Sequence, residues 1–209
     1  MDAQANGRSV GRAEPSPGRR TEHDDARERI LDAAEELFYG QGVQAVGMDA
    51  VRAASGVTMR RLYQHFPSKG DLVDAYLRRR DGRWRAGLAD YVAGAADTPR
   101  DQLLAVFDWL GRWFAEPDFR GCAFVNSFGE LGAVSPAVAL AARHHKEEFN
   151  AYLAGLAEAA DAPPALATQL ALLAEGAMTT AAVHGDPSAA EDAREAARIL
   201  LDAALATRG

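Results

Sequence analysis

Alanine fills 45 of the 209 positions, against 2 isoleucines and 12 valines. Alanine is the strongest helix former, and β-branched side chains are what pleated sheets select. The imbalance points to an all-α chain and sets a β-sandwich or barrel aside. Hydrophobic residues at 48% and charged residues at 25% fall in the globular range. The length suits one compact domain, or two small ones sharing a core.

Apolar spacing and chain breakers divide the sequence into about nine helices with no sheet. Residues 1–22, rich in Gly, Arg, Ser and Pro, carry no apolar period and read as a disordered tail. Its Arg8, Arg12, Arg19 and Arg20 either brush a phosphate backbone or are a solvated leader. A first helix starts near Asp24, places Ile30, Ala33, Ala34, Leu37 and Phe38 on one face, and stops at Gly40-Gln41-Gly42. Short helices are expected over Met48–Ala54 and Thr58–His65, separated by Ser55-Gly56-Val57. Pro67 ends the second, and Ser68 with Asp71 opens a longer helix carrying Leu72, Val73, Tyr76 and Leu77. Further breaks fall at Asp97-Thr98-Pro99, Pro117 to Gly121, Gly132 to Pro136, Asp161 to Pro164 and Gly185-Asp186-Pro187.

The single cysteine, Cys122, leaves no intramolecular disulfide and no thiolate metal cluster. No uninterrupted apolar run reaches the roughly 18 residues of a membrane span, and the N-terminus lacks the apolar stretch of a secretory signal. A cytoplasmic protein with no membrane partner is the expectation. His144 and Glu148 are four apart on one helix, but two ligands without a partner cluster do not make a metal site, and no cofactor is expected. Ser127 and Ser135 lie in no nucleophile elbow and no Gly-rich phosphate loop precedes a helix, so no catalytic residue is assigned.

A net charge of −7, if evenly spread, would argue against a nucleic-acid partner. It is not even. Residues 1–85 hold 15 basic and 13 acidic residues, whereas residues 86–209 hold 8 and 17. From Arg52 to Gly70 the charged residues are Arg52, Arg60, Arg61 and Lys69, with no acid among them. That is the footprint of a phosphate-binding surface. It coincides with two short helices around Gly56, the spacing of a helix-turn-helix whose second helix enters a major groove. With Val51, Val57 and Leu62 turned inward, Thr58, Met59, Arg60, Arg61 and Gln64 face outward.

The segment from Arg29-Ile30-Leu31-Asp32-Ala33-Ala34 through Ala53-Ala54-Ser55-Gly56-Val57-Thr58 to Leu62-Tyr63-Gln64-His65-Phe66-Pro67-Ser68-Lys69 resembles the TetR family of bacterial transcriptional regulators. The resemblance covers about 40 residues and includes the preceding helix and the Phe-Pro-Ser-Lys exit. It implies three segments: the tail, a helix-turn-helix unit over 23–68, and a helical ligand-binding and dimerisation body over 69–209. Thr58, Arg60 and Arg61 match positions that reach base edges or phosphates. Tyr63, His65 and Lys69 match backbone-contacting positions, although Tyr63 could instead bury its ring in the domain core. Two departures stand out. Val46-Gly47 replaces the usual hydroxyl at the start of the second helix, which leaves a weak cap. Arg52 stands where a small residue packs between helices, so its guanidinium must snorkel outward.

For the body the resemblance implies a ligand pocket and a dimer interface without assigning residues. Seven of 16 aromatic residues fall between Phe107 and Phe128: Phe107, Trp109, Trp113, Phe114, Phe119, Phe124 and Phe128. They line a cavity or fill a core, and spacing alone does not separate the two. The polar anchors proposed for such a cavity are Asn126, Glu130, His144, His145 and Thr179. In the last two helices, Leu166, Leu170, Leu173 and Ala177 form one stripe, and Ala189, Ala193, Ala196, Leu200 and Ala204 another. These suit a four-helix interface between subunits or an internal helix pair. Dimerisation would hold two recognition helices about 34 Å apart on a palindrome.

The reading is a homodimeric one-component regulator, a repressor of palindromic operator DNA modulated by an unidentified small molecule. A helical ligand-binding protein or small enzyme, and a non-specific DNA-packaging protein, remain alternatives.

Overall fold

A computed structural model describes residues 17–206. Among them are nine helices and no strand: α1 (Pro17–Gln41), α2 (Met48–Ser55), α3 (Met59–His65), α4 (Lys69–Ala95), α5 (Pro99–Phe114), α6 (Ala123–Leu131), α7 (Pro136–Ala159), α8 (Pro164–His184) and α9 (Ala189–Ala206). The all-α expectation holds, and each anticipated break separates two helices. Helix α1 begins at Pro17, earlier than Asp24; a proline at a first helical position loses no hydrogen bond, since that N–H has no intrahelical acceptor. Of the tail, Arg8 and Arg12 lie outside the described residues, and Arg19 and Arg20 fall in the first turns of α1.

The helix ends follow from local chemistry. Gly56 closes α2 at φ 67°, its N–H donating to the Arg52 carbonyl at 3.2 Å. Gly47 starts α2 with no side-chain cap, as its missing hydroxyl requires. The Ser68 hydroxyl accepts from the Asp71 amide at 3.1 Å and donates to its carboxylate at 2.7 Å, which stabilises the first turn of α4. Thr98 and Asp101 repeat that arrangement at α5.

Helices α1–α3 pack around Ile30, Leu31, Phe38, Val51, Val57 and Leu62 to form a small head. The 27-residue α4 belongs to both parts: Leu72, Val73, Tyr76 and Leu77 are buried near its start, and Trp84, Leu88 and Val92 further along. The body is built on α5, which packs on α4, α7, α8 and α9. One hydrophobic core runs unbroken through head and body, with the Phe38 and Tyr76 rings meeting edge to face at 5.6 Å.

The last helices bear on two expectations. By length and composition α8 is apolar enough to cross a membrane, although no uninterrupted apolar run signalled it. Its average stays high because alanine separates its few polar residues. In the bundle Leu166, Leu170, Ala174 and Met178 are buried, and Glu175 forms an ion pair with Lys146 at 2.7 Å. The stripes containing Leu166, Leu170 and Ala177 on α8 and Ala189 and Ala193 on α9 are used inside the protomer. The large apolar side chains left outward on these helices are Leu172, Val183 and Ile199.

Candidate nucleic-acid interface

Helix α3 has only seven residues, so its presentation depends on what brackets it. The left-handed Gly56 turns the chain sharply, and Val57 and Leu62 anchor the helix to the head core. Thr58 caps it, its hydroxyl accepting from the Arg61 amide at 3.2 Å. With Leu62 fully buried, helical geometry turns Thr58, Arg60, Tyr63 and Gln64 to solvent. Tyr63 is 45% exposed, so its ring lies on the surface rather than in the core.

The remaining candidates sit at the edges of this surface. Met59, Arg61 and His65 are half-buried. Arg61 lines a shallow cleft with Asp25, Glu28, Arg29 and Asp32 of α1, so one flank of the basic surface is tempered by a net acidic set distant in sequence. Arg52 does point outward, its side chain 42% exposed and 3.9 Å from Asp49. Lys69 reaches back from the start of α4, its ammonium donating to the Gln44 carbonyl at 3.3 Å.

The head is joined to the rest by charge and by hydrogen bonds. Arg79 on α4 meets Glu28, Asp32 and Glu35 of α1 at 3.1, 2.8 and 2.8 Å, and Arg80 and Arg83 add pairs to Glu35. The Arg80 guanidinium lies 3.8 Å from the Tyr39 ring centre. The Tyr39 hydroxyl accepts from the Arg120 amide at 2.8 Å and donates to the Gly121 carbonyl at 2.9 Å. Glu130, at the end of α6, accepts from the backbone amides of Val43 and Gln44 at 3.1 and 2.6 Å. Glu130, which the sequence offers as a polar anchor, contacts the loop between α1 and α2.

Among the described residues, those proposed for ligand binding lie in different surroundings. Phe107 and Phe114 are core residues, and the half-buried Trp109 packs on Trp84 with ring centres 4.9 Å apart. Phe124 stacks on His145 at 3.8 Å. Asn126 is exposed, its amide donating to the Arg120 carbonyl at 2.8 Å. Phe128, His144 and Thr179 face outward. His145 is buried, its Nδ1–H donating to the Asp81 carboxylate at 2.7 Å while Arg85 donates to the other oxygen at 3.0 Å. Burial pushes the His145 imidazole down to about 4, despite Asp81 beside it, and keeps the ring neutral at pH 7.

An open cleft of about 450 Å³ lies between α4 and α7, lined by Trp84, Arg85, Leu88, Glu148, Phe149 and Tyr152 among others. Of these residues only Glu148 is singled out from the sequence, as a rejected metal ligand; the dense aromatic run after Phe107 is the more conspicuous feature. The signal available was helical: Leu77, Asp81, Trp84, Leu88 and Val92 fall at spacings of three and four on α4 and are all buried.

The profile of bacterial regulatory proteins of the tetR family matches residues 30–76, and that of the tetracyclin repressor-like C-terminal domain matches residues 99–197. The transcriptional activator FasR of Mycolicibacterium smegmatis is 34% identical over 96 residues, a stretch covering 44% of each chain. The match thus spans less than half the length of that curated relative. A TetR-family transcriptional regulator from Streptomyces coelicolor is 30% identical with a TM-score of 0.79, covering 87% of this chain and 96% of that one. A protein of known structure from Streptomyces avermitilis is 33% identical with a TM-score of 0.74, over 86% and 97% of the two chains. With the head and body each matched in sequence and the whole fold matched in space, the chain belongs to the TetR family of helix-turn-helix transcriptional regulators, and not to a family of enzymes.

Proposed function

We propose that the chain is a homodimeric repressor that reads a palindromic operator in the cytoplasm with α3 of each subunit, and that a small molecule bound in the body changes its DNA affinity. The observation that carries this reading is the outward edge of α3, where Thr58, Arg60, Tyr63 and Gln64 are exposed within a stretch free of acids. An arginine can pair bidentately with guanine, and tyrosine and glutamine can contact phosphates or adenine edges. The acidic body repels DNA elsewhere and favours docking through the head.

Leu172, Val183 and Ile199 on the outer face of α8 and α9 support a subunit interface there. The α4–α7 cleft is large enough for a small effector, and Trp84, Phe149 and Tyr152 supply apolar contact area. Effector coupling of this kind is typically about 1–3 kcal/mol.

The test is selection of duplexes from a randomised DNA library with the full-length protein, followed by gel shifts in a salt series. Two-fold symmetric sites recovered against scrambled competitor support the reading. Binding to all duplexes alike would sink it. Placing a selected site over a promoter should lower reporter transcription; an increase would reverse the repressor assignment.

A further inference from the structure

The contacts of α6 carry an inference that rests on this operator-binding reading. Gly42 sits at φ +89°, and the left-handed step turns the next two amides, Val43 and Gln44, toward the same point. Successive N–H groups after such a step form a concavity suited to an anion. Here the anion is a side chain from 86 residues away. The Glu130 carboxylate takes one amide on each oxygen, and the Gln44 side-chain amide donates back to the Glu130 main-chain carbonyl. A Cβ at position 42 would lie 3.1 Å from Glu130 Oε1, so the seat is fitted to a bare glycine.

The seat is coupled to the reading surface. Val43 and Val46, on either side of Gln44 within the loop, are buried in the head core, which packs the loop against the head ahead of α2. Gln44 is held a second time through its carbonyl by Lys69, the first residue of α4. At the other end of α6, Tyr39 bonds Arg120 and Gly121 just before the helix. Helix α6 therefore meets the head just before its first turn and again within its last turn, while its length packs on α7. Helix stability does not explain an acid at Glu130, because a carboxylate in the last turn opposes the helix dipole.

We infer that Glu130 is a positioning residue: its carboxylate fixes the angle of α2 and α3 relative to the body, so that displacement of α6 reaches the recognition helices directly, in parallel with α4. It touches no DNA and selects no base. What it sets is the distance between the two half-sites a dimer can read.

Two variants and two measurements test this. E130A removes both acceptors; E130Q keeps the volume but sets an amide NH2 against one of the two backbone N–H groups. Hydrogen exchange at the Val43 and Gln44 amides should accelerate about tenfold or more in both variants, with the amides of Leu72 and Tyr76 unchanged. On duplexes selected by the wild-type protein, and on versions with one base pair added or removed between half-sites, wild type should show a sharp optimum. The variants should flatten it to within about threefold while keeping the same half-site preference. A merely destabilised protein would lose affinity equally on every spacing. Unchanged exchange at Val43 and Gln44 overturns the tether. Faster exchange with an unaltered spacing profile overturns the positioning role. If wild type selects no sequence, the operator reading fails instead, and the exchange measurement still judges the tether.

Discussion

The head and the body are built from the same kind of helix yet disclose their working parts differently. In the head, each short helix is bracketed by residues with one local job: Gly56 turning, Thr58 and Ser68 capping, Pro67 stopping. Once Leu62 is inward, the outward set on α3 follows from the helical period. In the body, periodicity says which face is inward but not whether the inward space is filled or hollow. The rings of Trp84, Trp109, Trp113, His145 and Phe149 occupy that space, with the Trp84 ring centre 4.9 to 5.8 Å from those of the other four. An aromatic-rich sequence is thus compatible with a packed core beside an open cleft, whereas a capped seven-residue helix on a fixed turn has few alternatives.

The contrast can be broken from either side. The largest expected effect is in the body: Trp84→Ala should cost about 3–5 kcal/mol of unfolding free energy in urea titration, as for a packed core. A loss below about 1 kcal/mol would mean that the aromatic region is loosely filled. Next comes pH. With its folded-state value near 4 against 6.5 in the unfolded chain, His145 binds a proton in the unfolded state first. Stability is therefore fully present above pH 6.5 and falls toward pH 4, by on the order of 3 kcal/mol. His145→Gln should flatten that part of a melting-temperature profile; an unchanged slope would assign the acid sensitivity to other groups.

In the head the effects are on binding rather than folding. Arg60→Ala with Arg61→Ala should weaken operator binding roughly a hundredfold, with melting temperature and oligomeric state unchanged. A fall in stability of more than about 1 kcal/mol would show that these arginines hold the head together. Smallest is Ser68→Ala, which removes the cap of α4 and should cost about 1 kcal/mol in denaturant titration.

What could be read in the sequence follows the same division. The division into about nine helices is legible, and the breaks at Asp161 to Pro164 and at Gly185-Asp186-Pro187 bound α8, because proline, glycine and capping residues act within a few positions. Glu130 shows where that reach ends. Nothing near it in sequence indicates that its partners are Val43 and Gln44, since the pairing depends on how α6 docks. The α8 stripe shows a different limit: its inward face was legible, but not what covers it. Leu166 and Leu170 fall on one stripe and Leu172 off it, yet whether that stripe meets α7 and α9 of the same protomer or a second subunit depends on how the helices dock. Tyr63 was ambiguous because its ring suits a core and its hydroxyl suits a phosphate; only the docking of α3 places it outside.

The arginine ladder of α4 against the carboxylates of α1 has a consequence for measurement. Salt competes with phosphate contacts through counterion release, and it also screens the exposed rungs, such as Arg83 at 57% side-chain exposure. The rung between Arg79 and Glu35, at 12% and 21%, is shielded. Rising ionic strength will thus loosen the mounting of the instrument while it weakens the instrument's grip. A logarithmic salt plot should steepen beyond the number of phosphates actually neutralised, and the excess measures the give in the mount.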